Sequence, residues 1–216
     1  MSLLSMWISR RVNSFLALLS VRLTKIEDSA MIRDALEASV FFASSMGRLG
    51  ADFTARLPAL FEPKMVSLVV SHWNEGSQQL VETLRVCAEA GVASPLTSHV
   101  PETQSHPPPA SLAEPQPAPR QLLATPPLAR FVNSVLSGLN ELRRCLLPGI
   151  FSALRSSLDE ILSESLNVLK ANERTVLAPG LRGDAKGLRE CADVLGRIKS
   201  QLSWQRFKRS KHVWKQ

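Results

Sequence analysis

The chain has 216 residues, 44% hydrophobic and 21% charged, with a net charge of +7, 10 glycines and no tyrosine. That is enough apolar material for a core and too little charge for a chain disordered along its whole length. A basic excess suits an anionic surface or an acidic partner. Its location narrows the reading: Arg206, Lys208, Arg209, Lys211 and Lys215 follow Ser200 with no acid among them, and the body before them is nearly balanced.

In chain order, Leu3 to Ile26 reads as a helix. Leu4, Trp7, Ile8, Phe15, Leu18, Leu19 and Leu23 recur at steps of three and four, the spacing of one helical face. Met1 to Ile8 is apolar, but Arg10 and Arg11 follow it rather than precede it, the reverse of a secretory leader. The acid-free start to Lys25 keeps a mitochondrial presequence as a lesser alternative. Asp28 is placed to cap a second helix through Ile32, Leu36, Val40 and Phe41 toward Leu49, because its carboxylate can accept from the unpaired first-turn amides. Leu57-Pro58 disturbs its continuation. A third helix is expected to start near Pro63, a residue suited to a first turn, and to carry Met65, Val69, Trp73, Leu80, Leu84 and Cys87 inward until Gly91.

Gly91 to Thr125 breaks the pattern. Pro95, Pro101, Pro107, Pro108, Pro109, Pro115, Pro117 and Pro119 remove backbone donors at a density that forbids helix, and the residues between them are mostly polar or small. The stretch reads as a disordered or polyproline-like linker. Helical spacing resumes at Pro126-Pro127 with Leu128, Phe131, Val132, Val135, Leu139 and Leu142 on one face, until Pro148-Gly149. The next helix has Leu154, Leu158, Ile161, Leu162, Leu166 and Leu169 inward and Asp159, Glu160 and Glu164 outward. Beyond Pro179-Gly180 and Gly183, a last helix from about Asp184 uses Leu188, Cys191, Leu195, Ile198 and Leu202. The expected fold is all-α: an antiparallel helical bundle or rod in two blocks, 1–90 and 126–203, joined by the 91–125 linker and followed by a basic tail at 204–216.

The residues that usually carry chemistry are not arranged for it. Cys87, Cys145 and Cys191 are widely spaced with no CxxC, and read as buried thiols. His72, His99, His106 and His212 have no ligand-type neighbours at metal spacing. No GxSxG, HExxH or P-loop occurs, and Asp159 and Glu160, adjacent in sequence, point about 100° apart on a helix. No catalytic residue, cofactor, metal or small-molecule substrate is expected.

Three stretches carry a resemblance. They are Trp7 to Leu16 (WISRRVNSFL), Gly47 to Phe53 (GRLGADF) with Leu57 to Glu62 (LPALFE), and Pro126 to Asn133 (PPLARFVN) with Leu139 to Arg143 (LNELR) and Cys145. In this order, with a proline-containing gap before the third, the chain resembles the C-terminal half of the subunit 8 family of the conserved oligomeric Golgi complex, most nearly its plant and algal forms. The likeness runs over about Met1 to Lys170. It begins within the family's pattern, without the family's long N-terminal helical region, and the basic ending departs from it. The resemblance implies a helical-rod tether for vesicles returning Golgi enzymes between cisternae. It also implies a position on the cytosolic face of the Golgi membrane with peripheral membrane contact, and subunits 5, 6, 7 and 1 as partners, with no nucleic acid.

Gly47, Arg48, Gly50, Asp52, Phe53, Phe131, Asn133, Asn140, Glu141 and Arg143 are the candidate packing and interface residues. Two glycines three apart let another backbone approach a helix, or else loosen a helix end. Arg48 and Asp52 stand at a pairing distance on a helix. Phe53 and Phe61 read as core anchors. Asn140 and Glu141 read either as a solvated face or as the polar rim of a subunit interface. The alternative function is a basic helical module whose tail, with Trp204, Phe207 and Trp214 among its cations, binds an anionic membrane or nucleic acid.

Overall fold

A computed structural model describes residues 3–90, 126–176 and 185–202. Among these, every regular element is helical: α1 (Leu3–Leu23), α2 (Ser29–Gly47), α3 (Pro58–Ala90), α4 (Pro126–Arg144), α5 (Phe151–Val176) and α6 (Ala185–Leu202). Short 3-10 turns stand at Thr54–Arg56 and Pro148–Ile150. The all-α expectation holds. The Pro-rich 91–125 stretch, the Pro179-Gly180 and Gly183 interruption, and the 204–216 tail lie outside the described residues.

Two compact units form, and they do not follow chain order. One comprises Met1–Asn74 with Ser134–Leu158, the other Glu75–Asn133 with Asp159–Gln216. Each draws residues from both sides of the Pro-rich stretch.

In the first unit, α1 buries Ile8, Val12, Leu16 and Leu23 and leaves Leu4, Trp7 and Leu18 exposed. This shifts the expected face. The helix is apolar nearly all round, so its spacing supports two inward faces and packing selects one. α1 closes with Lys25 N–H donating to Arg22 O and Ile26 N–H to Leu23 O, while Lys64 Nζ of α3 donates to Thr24 O. A cation at the negative end of a helix is favourable.

Asp28 caps α2 as expected, its carboxylate accepting from Ala30 N–H at 3.0 Å. The buried face of α2 is made of small residues, Ser29, Ser39 and Ala43 around Ile32. Val40 and Phe41, expected inward, are exposed, Phe41 by 77%. Small side chains let neighbouring helices come close without losing contact. Ser39 keeps its buried hydroxyl satisfied by donating to Ala35 O at 2.6 Å.

α3 starts at Pro58, five residues before the expected Pro63. Pro58 needs no partner for a missing N–H at the first position, and Leu60 and Phe61 both donate to Leu57 O. Pro63 then sits inside the helix, where it forgoes a bond to the carbonyl of exposed Ala59, close enough to the helix start for water to replace it. From there Leu57, Phe61, Met65, Val69 and Trp73 form a buried row at steps of four. Each such side chain contributes on the order of 1.5–3 kcal/mol.

The second unit buries Leu80 and Leu84 of α3, Leu128 and Phe131 of α4, Ile161, Leu162 and Leu169 of α5, and Cys191, Val194 and Leu195 of α6. Glu160 and Glu164 face outward as expected, and Asp159 is half-buried. The Ser77 and Ser165 hydroxyls meet at 3.1 Å in this interior, each satisfying the other. Lys199 Nζ donates to Ser163 Oγ at 2.7 Å, and Arg189 pairs with Glu173 at 2.9 Å.

Candidate functional site

The GRLGADF stretch is the stop of α2. Gly50 N–H donates to Gly47 O at 2.9 Å and Ala51 N–H to Met46 O at 3.0 Å. Nested bonds of this kind, with the residue between them in the left-handed region, make a Schellman ending. Gly50 fills that place with φ at 81°. Gly47 and Gly50 therefore do not share a helix face, and among the described residues nothing beyond its chain neighbours lies within 4 Å of where a Gly50 Cβ would sit. Of the two readings of these glycines, the helix end is the one observed within the chain.

Arg48 is exposed, and Asp52 does not turn to it. The Asp52 carboxylate accepts from Thr54 N–H at 2.8 Å, opening the 3-10 turn. Hydrogen bonds from the Thr54 hydroxyl and amide hold Asp52 below the usual carboxylate range. This turn delivers Phe53, which is buried, into a ring cluster with Phe15 of α1 at 5.8 Å and Phe42 of α2 at 5.6 Å. Phe15 and Phe42 are themselves 4.8 Å apart, so all three rings touch in tilted or edge-on geometry. Phe53 and Phe61 are core anchors, as expected.

Glu141 has an inward role. Its Oε2 accepts from Ser29 Oγ at 2.6 Å and Ser29 N–H at 3.2 Å, across 112 residues of sequence. Asp28 takes the next amide of α2, and Arg144 reaches both Asp28 at 3.5 Å and Glu141 at 3.6 Å. Two carboxylates thus serve adjacent amides at the positive end of α2, under one guanidinium. Ser29 is fully buried, so the partner that Glu141 provides is one water cannot replace. This pairing gives Glu141 a role within the chain that a purely solvated face would not have. Asn140 and Arg143 are exposed on the same helix.

Close backbone approach does occur, at a glycine the sequence reading passed over. A Cβ on Gly138 would lie 2.6 Å from Trp73 Nε1 and 3.0 Å from Val69 O. Trp73, fully buried, donates Nε1–H to Val135 O at 3.2 Å. Likewise Glu62, the last residue of LPALFE, accepts from Gly149 N–H at 3.2 Å and caps the Pro148–Ile150 turn. The sequence signal for Gly138 was present: a glycine inside an otherwise regular helical pattern costs about 1 kcal/mol and needs a packing reason. Ser29 and Glu62 gave no such signal. Phe131 is a core residue and Asn133 is exposed, both in the other unit.

Cys145 and Cys191 are buried and Cys87 is half-buried. Burial pushes the Cys145 thiol above its usual pKa. Among the described residues, no group of three or more His, Cys, Asp or Glu could hold a metal ion, and no helix is long and apolar enough to cross a membrane. An open depression of about 500 Å³ runs along α2, lined by Leu36, Val40, Phe41 and Arg48 among others.

What this arrangement supplies is helix ends, turns and faces fixed for packing. Residues 1–81, which contain α1, α2, the Gly50 turn and most of α3, match the Dor1-like family. Conserved oligomeric Golgi complex subunit 8 of Bos taurus is 28% identical over 177 residues, covering 78% of this chain. The chain is thus similar to that subunit along most of its length, and its first 81 residues match the Dor1-like family. Subunit 8 of Homo sapiens is 27% identical over 173 residues, again 78% of the chain, and that of Dictyostelium discoideum is 26% identical over 172 residues, 72% of the chain. The chain spans about a quarter of the length of the mammalian subunits, 26% and 27%. No solved structure is a significant match. In the Dor1-like segment, the α2 cap, the Schellman turn and the phenylalanine cluster together set how α1, α2 and α3 follow one another.

Proposed function

We propose that this Dor1-like chain works as a helical scaffold within a conserved oligomeric Golgi complex, with no catalytic role of its own. In that assembly it would help tether vesicles in intra-Golgi retrograde transport and maintain the Golgi apparatus. The carrying observation is likeness to subunit 8 over 78% of the chain. The geometry supports the same reading. Glu141 and Glu62 are spent on capping helix ends, and exposed apolar side chains of the described residues lie along helix faces. The proposed partners are the other subunits of the complex, with 5, 6, 7 and 1 the specific expectation. The proposed location is the cytosolic face of the Golgi membrane, held peripherally.

The test is affinity purification of the full chain carrying an N-terminal tag, with the co-purifying proteins identified by mass spectrometry. The expected result is recovery of other subunits of the complex and co-fractionation with Golgi membranes. Recovery of ribosomes or chromatin in place of those subunits would overturn the proposal and favour a basic nucleic-acid-binding module.

A further inference from the structure

α1 carries a second apolar face that is exposed among the described residues. Opposite Ile8, Val12 and Leu16, the side chains of Leu3, Trp7, Leu18 and Val21 are 86%, 50%, 57% and 59% exposed. At about 100° per residue these four fall within one sector of roughly 60°. Arg10 lies on one flank of that sector, Arg11 and Arg22 on the other, and Lys25 at its C-terminal end. There is no acid from Met1 to Ile26. Among the described residues, Arg10, Arg22 and Lys25 form no ion pair, and Arg11 stands over the Trp7 ring at 5.5 Å.

We propose that this outward face of α1 docks on an anionic lipid bilayer. An apolar midline with cations along both edges lets the rings and aliphatic chains enter the headgroup boundary while the charged ends stay at phosphate level. Charge decides between a bilayer and a protein helix as the occupant. A single packed helix meets one or two rows of side chains, whereas cations on both flanks and no acid call for negative charge on both sides at once. The contact is interfacial, since no described helix is fit to cross a membrane. The inference stands on α1 alone and does not depend on assembly with Golgi subunits.

Flotation of the full-length chain with phosphatidylcholine vesicles, with and without phosphatidylserine, tests it. The expected result is co-flotation with the anionic vesicles only, weakening as salt is raised. Arg10→Glu with Arg11→Glu should lower the bound fraction roughly tenfold or more, given about 1 kcal/mol per cation at such a surface. Trp7→Ser with Leu18→Ser should also release the chain. All four residues are exposed, and unchanged circular dichroism verifies that the fold is intact. A variant with Arg206, Lys208, Arg209 and Lys211 changed to Gln should still float. Failure of the unmodified chain to float overturns the proposal, as does flotation that depends on the tail and not on α1. α1 variants that float normally but lose other subunits in purification would make the face a protein interface, which also overturns it. Loss of vesicle binding with subunit recovery intact leaves the scaffold reading standing.

Discussion

Gly50 and Glu141 show how much a single residue does when backbone groups are at stake. At Gly50, a φ of 81° is a conformation that side chains with a Cβ resist, although the space beside it is open. Gly50→Ala should therefore lower stability by about 1 kcal/mol through backbone strain, read as a drop in melting temperature. An unchanged or raised melting temperature would mean that the turn relaxes. Glu141→Ala removes the partner of a buried amide and hydroxyl, and should cost on the order of 1–3 kcal/mol. Ser29→Ala in a double-mutant cycle should recover part of that cost, whereas simple additivity would show that the two groups do not act as a pair. Asp52 adds a pH signature. Its pKa is lowered from 3.8 in the folded state, so its contribution is present above 3.8 and is lost as pH falls through the lower folded value. Asp52→Asn should shallow the acid limb of a stability curve, and an identical limb in both proteins would speak against that role.

Helices α3 and α4 owe their spacing to Gly138. The Trp73 indole lies against the backbone there, with its N–H on Val135 O, so a methyl group would meet the ring nitrogen at 2.6 Å. Gly138→Ala normally favours a helix by up to about 1 kcal/mol, but here overpacking should reverse the sign, at a net cost of roughly 1–3 kcal/mol. Thermal melts of Gly138→Ala decide the matter, and a stabilised variant would show that Trp73 repositions freely. The contrast with Gly149 is informative. There the atom in the way is the end of the Glu62 side chain, which can swing aside, so Gly149→Ala should lose a hydrogen bond and little else.

For the whole molecule, the two compact units give a readable test in the cysteines. Cys145 belongs to the first unit and Cys191 to the second, and both are buried, while Cys87 is half-buried. At neutral pH a thiol reagent should modify Cys87 first. Cys145 should follow only as its unit opens, since burial also keeps it protonated. Labelling of Cys145 as fast as Cys87 in native buffer would show that the first unit is not closed around it. Following Cys145 and Cys191 through a denaturant series also reports whether the two units open together.

The sequence by itself determined that this protein is helical, where most of its helices begin and end, and which family it resembles. Those features are local: Asp28 ahead of an apolar run, proline at Pro126 and Pro148, leucines at steps of three and four. The Dor1-like likeness rests on such short stretches as well, GRLGADF and LPALFE among them. Tertiary structure decided the rest. α1 and α2 have apolar residues around most of their circumference, so periodicity left Trp7, Leu18 and Phe41 as plausible core residues. Only packing against neighbours placed Val12, Leu16 and Ala43 inside instead. Glu141 looked like a surface residue because its partner, Ser29, is 112 positions away. Gly138 looked incidental because Trp73 comes from another helix. A hydrogen bond or a steric limit between distant segments has no periodicity of its own, so it becomes visible only when the chain has folded and the two groups stand together.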